Sequence, residues 1–206
     1  GNELIALLKE NEYIKSLQPE FNRALTKTQF THGIYTHKDK EGYLNFKVKP
    51  VNDKLSTLTT FSNLKSAKSF LEQIVNSYKL CLNKTSLGNH QKSCFNYGIK
   101  ACHGACLGKE KVEDYNKRAQ QCIARYSFED HNFLLVTKGR EPHEKSLIYI
   151  KNGDVEGFAY FELNLQITSR DILERIITPI EYQRDAKHIV QSYMRKHSNH
   201  IKIINL

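Results

Sequence analysis

The stretch CLNKTSLGNHQKSCFNYGIKACHGAC, residues 81–106, decides how this chain is read. It carries four of the five cysteines within 26 residues, spaced Cys81-x12-Cys94-x7-Cys102-x3-Cys106. Its Gly, Asn and Ser content and weak hydrophobic periodicity predict an irregular loop, too poor in apolar side chains to offset its own ordering entropy. Four thiols in one loop can supply a complete tetrathiolate site, as structural zinc or a 4Fe-4S cluster requires. Paired C-x2-C knuckles are absent. One C-x3-C step with two long intervals suits a larger cluster, whose iron corners lie farther apart than ligand positions around one zinc ion. Gly98, Ala101, Gly104 and Ala105 let backbone amides come near cluster sulfides. The bland alternative is a set of buried structural thiols. His90 and His103 are near enough to substitute as ligands, but with four cysteines available they read as surface residues.

Outward from the loop, the pattern becomes regular. Asn63 is placed to cap a helix in which Leu64, Ala67, Phe70, Leu71, Ile74, Val75 and Tyr78 share one face, with Cys81 directly behind it. Residues 110–126 read as a second helix, with Val112, Tyr115, Ala119, Cys122, Ile123 and Tyr126 on its apolar side, so Cys122 is expected in a core. Upstream, residues 30–36 and 43–48 read as strands around the turn Lys38-Asp39-Lys40-Glu41-Gly42. Downstream, 132–137, 145–151 and 155–163 predict an antiparallel meander, with Asn152-Gly153 as a type I′ hairpin turn. A short helix from Thr168 or Ser169 to Ile177 and another opened by Pro179 complete the chain. At the other end, Leu4, Leu7, Leu8, Ile14 and Leu17 predict a helix over about 3–16. The class is α+β: helices with small antiparallel sheets, an irregular four-cysteine metal loop and C-terminal helices. Three segments are expected, 1–27, 28–128 and 129–206.

The chain has 206 residues, with 31 Lys and Arg against 22 Asp and Glu, a net charge of +9 that calls for an anionic partner. No apolar run is long enough for a membrane helix and no signal segment opens the chain, so a cytoplasmic protein is expected. The amphipathic pattern begins at Asn2, as in a piece of a longer protein. From Lys79 to Arg118 there are eight Lys or Arg and three acids, more than half of the net charge. Lys84, Lys92, Lys100, Lys109 and Lys111 ring the metal loop as a phosphate-facing surface, unless they are merely solvated. Phe95 and Tyr97 interleave with them and could stack on nucleotides, although aromatics beside a metal loop more often pack under it.

KENEYIKSLQPEFN, residues 9–22, resembles the closing segment of the GIY-YIG nuclease domain of UvrC-like excinucleases. SCFNYGIKACHGACLG resembles that family's cysteine region, and Glu113-x-Tyr115-Asn116 fits the helix that follows. The whole run to about Leu165 looks closest to a bacterial branch that fuses this unit to a proofreading 3′ to 5′ exonuclease of the DNA polymerase III epsilon type. The resemblance implies that Glu10 matches a catalytic metal-binding Glu, served by magnesium or manganese, and that Asn22 matches an Asn closing the same site. It implies a 4Fe-4S cluster on Cys81, Cys94, Cys102 and Cys106. The family's GIY and YIG strands, catalytic Tyr and helix Arg do not precede Glu10. Gly33-Ile34-Tyr35 follows it and has no YIG partner, so the catalytic site is incomplete and this chain alone is expected to be inactive.

The reading is therefore a DNA-binding, cluster-bearing C-terminal region of a bacterial DNA repair or replication nuclease, with replication or repair proteins as further partners. A zinc-stabilised interaction domain that docks the parent nuclease to a protein is the alternative. No Ser/His/Asp set, Gly-rich phosphate loop or HExxH supports an independent enzyme.

Overall fold

The protein is described from a computed structural model, which covers residues 2–18, 29–52, 55–89, 94–129, 131–162, 172, 175–197 and 201–206. Asn22, His90 and Lys92 lie outside these residues. The chain divides into two compact units: residues 30–127, and a discontinuous unit of 1–29 with 128–206. The segments 1–27 and 129–206, read separately from the sequence, thus share a unit. The architecture is α+β.

In the unit 30–127, β1 (His32–Lys38) is the central strand of a three-stranded antiparallel sheet, flanked by β2 (Leu44–Pro50) and β3 (Thr59–Phe61). Gly33-Ile34-Tyr35 lies in the first half of β1, with Ile34 fully buried. Helix α2 (Leu64–Ser77) starts where the sequence places it, since the Asn63 side chain accepts the Ser66 N–H at 2.8 Å. Its Ala67, Leu71, Ile74 and Val75 join Phe46, Leu80 and the α4 (Val112–Tyr126) residues Tyr115, Ala119 and Cys122 in one core. Cys122 is a core residue, as its helical spacing indicates, and burial pushes its thiol up to about 12.

The other unit is a five-stranded antiparallel sheet in the order β7 (Thr178–Pro179), β6 (Asp154–Glu162), β5 (Glu144–Lys151), β4 (Phe133–Lys138), β8 (Lys202–Asn205). The expected meander supplies its three inner strands, and Asn152 and Gly153 have φ of 49° and 81°, as a type I′ turn requires. Phe133, Leu135, Ile148, Ile150 and Phe158 point to one side, against Leu4, Ile5 and Leu8 of α1 (Glu3–Leu17) and Ala186 and Val190 of α5 (Gln183–Lys196). Leu134, Val136, Leu147, Ala159 and Phe161 form a second cluster on the opposite side.

Two sequence expectations are corrected here. Pro179 does not open a helix: it pairs with Gly157 at the sheet edge, where its missing N–H costs nothing, and α5 begins at Gln183. In α1, Ile5 is buried while Leu7 and Leu17 are 38% and 73% exposed, because the Leu4-Ile5-Leu8 stripe meets the sheet. Edge strands β3, β7 and β8 are too short to carry a sequence signal. The helix expected from Thr168 or Ser169 falls mostly outside the described residues. No helix among the described residues is long and apolar enough to cross a membrane.

Candidate metal centre

The predicted loop leaves α2 through Leu80, which is fully buried, and delivers Cys81 into the core of its unit. A 3-10 turn, Leu82–Lys84, follows, and the chain then runs beside β2: Thr85 bridges Phe46, Ser86 N–H donates to Phe46 C=O at 3.0 Å, and Ser86 Oγ accepts Val48 N–H at 3.1 Å. Cys94 is the N-cap of a single helical turn, α3 (Phe95–Gly98), and Cys106 lies in a second 3-10 turn, Ala105–Leu107. Gly104 enters that turn at φ 81°, and any side chain there would strike the Tyr97 ring, so glycine is needed twice over.

These turns bring thiols together that are far apart in sequence. The Sγ atoms of Cys81, Cys94 and Cys106 all lie within 4.8 Å of one another, the grouping a shared metal ion requires. Cys102, 4% exposed, stands beside the group and interacts with Cys94 and Cys106. Burial pushes the Cys81 and Cys102 thiols up, and burial with the neighbouring Cys81 thiol carries Cys106 to about 12. Groups that favour thiolate are also in place. Asn83 Nδ2 donates to Cys106 Sγ at 3.5 Å, and the backbone N–H groups of Asn83 and Cys106 act on Cys81. A metal cation would reverse the cost of burying thiolate charge, so the donor set fits a thiolate-bound metal or cluster. His103 is exposed, as expected for a residue outside the ligand set.

The lysines ringing the loop divide in two. Lys100, Lys109 and Lys111 are exposed. Lys84 is buried, its ammonium 2.7 Å from Asp39 Oδ2 and 2.8 Å from Glu41 Oε2, and 4.3 Å from the centre of the Tyr43 ring. Its charge is taken up inside the unit and its function is to pin the cysteine loop to the β1–β2 turn. Sequence reasoning missed this because both acids lie more than forty residues upstream. Asn116 ties α4 to the same turn, accepting the Leu44 N–H at 2.8 Å and donating to Gly42 C=O at 2.9 Å. Arg118 Nε donates to Tyr78 C=O at 3.0 Å and pairs with the buried Glu110 at 2.6 Å, closing the C-terminal end of α2. Phe95, expected to pack under the loop, is 77% exposed.

Residues 32–125, almost the whole of this unit, match the family model of the UvrC/Cho excinuclease, middle domain. Over these residues, a little under half of its length, the chain is similar to that domain. The chain is 29% identical over 127 residues to the excinuclease Cho of Shigella flexneri, covering 61% of this chain and 43% of that protein. It is 28% identical over 120 residues to the UvrABC system protein C of Fervidobacterium nodosum, and 32% identical over 136 residues to that of Flavobacterium psychrophilum. These two matches cover 58% and 62% of this chain but 21% and 23% of the relatives, so the chain spans less than half the length of the relatives it matches. No solved structure matches it. The UvrC-like region contains all four loop cysteines and relates the chain to DNA repair nucleases.

Glu10 belongs to the other unit. It is exposed on α1, and among the described residues it joins no group of three or more His, Cys, Asp or Glu able to share a metal ion.

Proposed function

We propose that this chain supplies the DNA-engaging, metal–thiolate-bearing part of a DNA repair nuclease of the excinuclease type. The observation that carries the reading is the convergence of the Cys81, Cys94 and Cys106 sulfurs, within 4.8 Å of one another, inside the UvrC-like region. A loop so poor in buried apolar side chains gains its order from metal–thiolate bonds, and in turn holds Lys100, Lys109 and Lys111 at the surface for DNA phosphates. Cys81, Cys94, Cys102 and Cys106 hold the metal group, which when bound neutralises the thiolates and clamps the loop. A 4Fe-4S cluster is the reading implied by the family resemblance. The sulfur spacing gives zinc a specific argument of its own, since ligands around one zinc ion lie about 3.8 Å apart when Zn–S is about 2.3 Å. Glu10, Asn22 and a magnesium or manganese ion belong to the parent's nuclease site, and a fused proofreading exonuclease rests on the resemblance of residues 3–165 alone.

Two measurements test this. Protein purified without oxygen should contain stoichiometric metal, with iron and acid-labile sulfide for a cluster or zinc alone for the single ion; metal-free protein with an ordered loop would refute the metal centre. Duplex DNA should bind with a log–log salt slope of roughly −3 if three lysines meet phosphates. Replacing Lys100, Lys109 and Lys111 by Ser should flatten that slope, and an unchanged slope would refute this surface.

A further inference from the structure

Beside the metal loop lies an open cleft of ≈ 480 Å³. Leu82, Leu87 and Phe95 are its apolar lining residues, and Asn83, Asn89 and Asn96 its amide-bearing ones, with Asn83 Nδ2 also donating to Cys106 Sγ. Cys94 also lines it, so its position is tied to the thiol group. Two of the lining segments pass close to each other: a Cβ on Gly88 would lie 2.6 Å from Asn83 Cα and 2.7 Å from Leu82 C=O, so only glycine fits between Leu87 and Asn89. Phe95, 77% exposed, is costly to leave in water, and Ile99 on the following turn is 58% exposed.

The chemistry of the lining selects among occupants. The volume lies in the range of small-ligand sites, roughly 300–1,000 Å³. An exposed aromatic face stacks on any flat heterocycle, and primary amides offer both donors and acceptors, the complement of a base's hydrogen-bonding edge. The exposed Lys100 and Lys109 both follow the aromatic turn in sequence, and Lys109 Cβ and the Tyr97 ring crowd the same face of Gly104, while the nearby acid Glu110 is paired with Arg118. A basic surround with an aromatic and amide-lined cleft fits an unpaired nucleotide better than an acidic ligand or an apolar peptide. We infer that the cleft receives a nucleobase displaced from a distorted DNA strand, stacked on Phe95 and contacted by the amides of Asn83, Asn89 and Asn96. This rests on the DNA-binding reading above and adds to it a preference for unpaired bases.

The test uses the full chain and two oligonucleotides carrying 2-aminopurine, one fully paired and one with the analogue in a bulge. Wild-type protein should bind the bulged DNA more tightly and change the emission of its 2-aminopurine. Phe95→Ala should weaken bulge binding roughly 5- to 150-fold, the range for loss of one aromatic stack, and Phe95→Trp should restore it. Affinity for paired duplex, the salt slope and metal content should stay unchanged in both variants, which also shows that they fold. If Phe95→Ala binds bulged DNA as wild type does while duplex binding persists, the cleft inference is overturned and the DNA-binding reading stands. If wild type binds neither DNA in a salt-dependent way, both fall.

Discussion

Residues 81–111 and 133–162 are stretches of similar length held by different physics. The second buries Leu134, Leu135, Leu147, Ile148, Ile150 and Val155 completely, three inner strands with an apolar cluster on each side. The first buries Cys81, Cys102, Ala105, Lys84, Thr85 and Glu110, and leaves Phe95 and Ile99 in solvent. Apolar burial is additive and tolerant, at about 25 cal/mol per Å². Thiols and ion pairs are specific, and each depends on a partner supplied from elsewhere in the chain. The cysteine loop therefore gains a surface free for binding, at the cost of order that hangs on a few side chains.

The largest expected effect separates the two stretches outright. Cys94→Ser or Cys106→Ser should abolish stoichiometric metal and make residues 81–111 exchange amide hydrogens rapidly, with 133–162 still protected; hydrogen exchange read by mass spectrometry gives both at once. Cys122→Ser, in the core of α4, should keep the metal. Next, Ile148→Ala should cost about 2–5 kcal/mol in the sheet unit while metal content and the loop's protection hold. A loop that melts with the sheet would mean that one cooperative transition covers both.

A smaller effect is expected at the start of α1. The Asn2 side chain caps the helix by accepting Leu4 N–H at 2.7 Å, and its amide donates to Ser146 Oγ at 2.8 Å and to Thr137 Oγ1, a buried polar network at the end of β4 and β5. Asn2→Ala should cost about 1–2 kcal/mol in denaturant unfolding. No change would show that the cap is redundant with the Leu4-Ile5-Leu8 stripe.

The smallest effect concerns the Lys84 anchor and its pH dependence. Burial by itself would raise the Asp39 carboxyl, but hydrogen bonds from Lys84, Asn45 and the Tyr43 N–H outweigh it and hold Asp39 at about 2. A carboxylate depressed in the folded state stabilises fully above its ordinary value near 3.8, and that contribution fades as pH falls towards about 2. Asp39→Asn should therefore destabilise at neutral pH and show a shallower loss between about pH 4 and 2. Parallel curves for the two proteins would remove Asp39 from the account of how the loop is held.

What was legible in the sequence was what short-range geometry dictates. The Asn63 cap and the i, i+3, i+4 stripe specify α2, Asn152-Gly153 specifies the hairpin, and four cysteines in one Gly- and Asn-rich stretch mark the loop, because each signal is complete within a few residues. Tertiary structure alone decided the rest. Strands β3, β7 and β8 are two to four residues long, too short for a period to register, and exist because a distant strand offers its edge. Lys84 reads as one more loop lysine until Asp39 and Glu41 are brought to it, and Phe95 reads as a packing residue until the turn that Cys94 caps carries it into solvent. A side chain's partner, unlike its helix or turn, is set by contacts between residues far apart in the chain, and no local pattern encodes those.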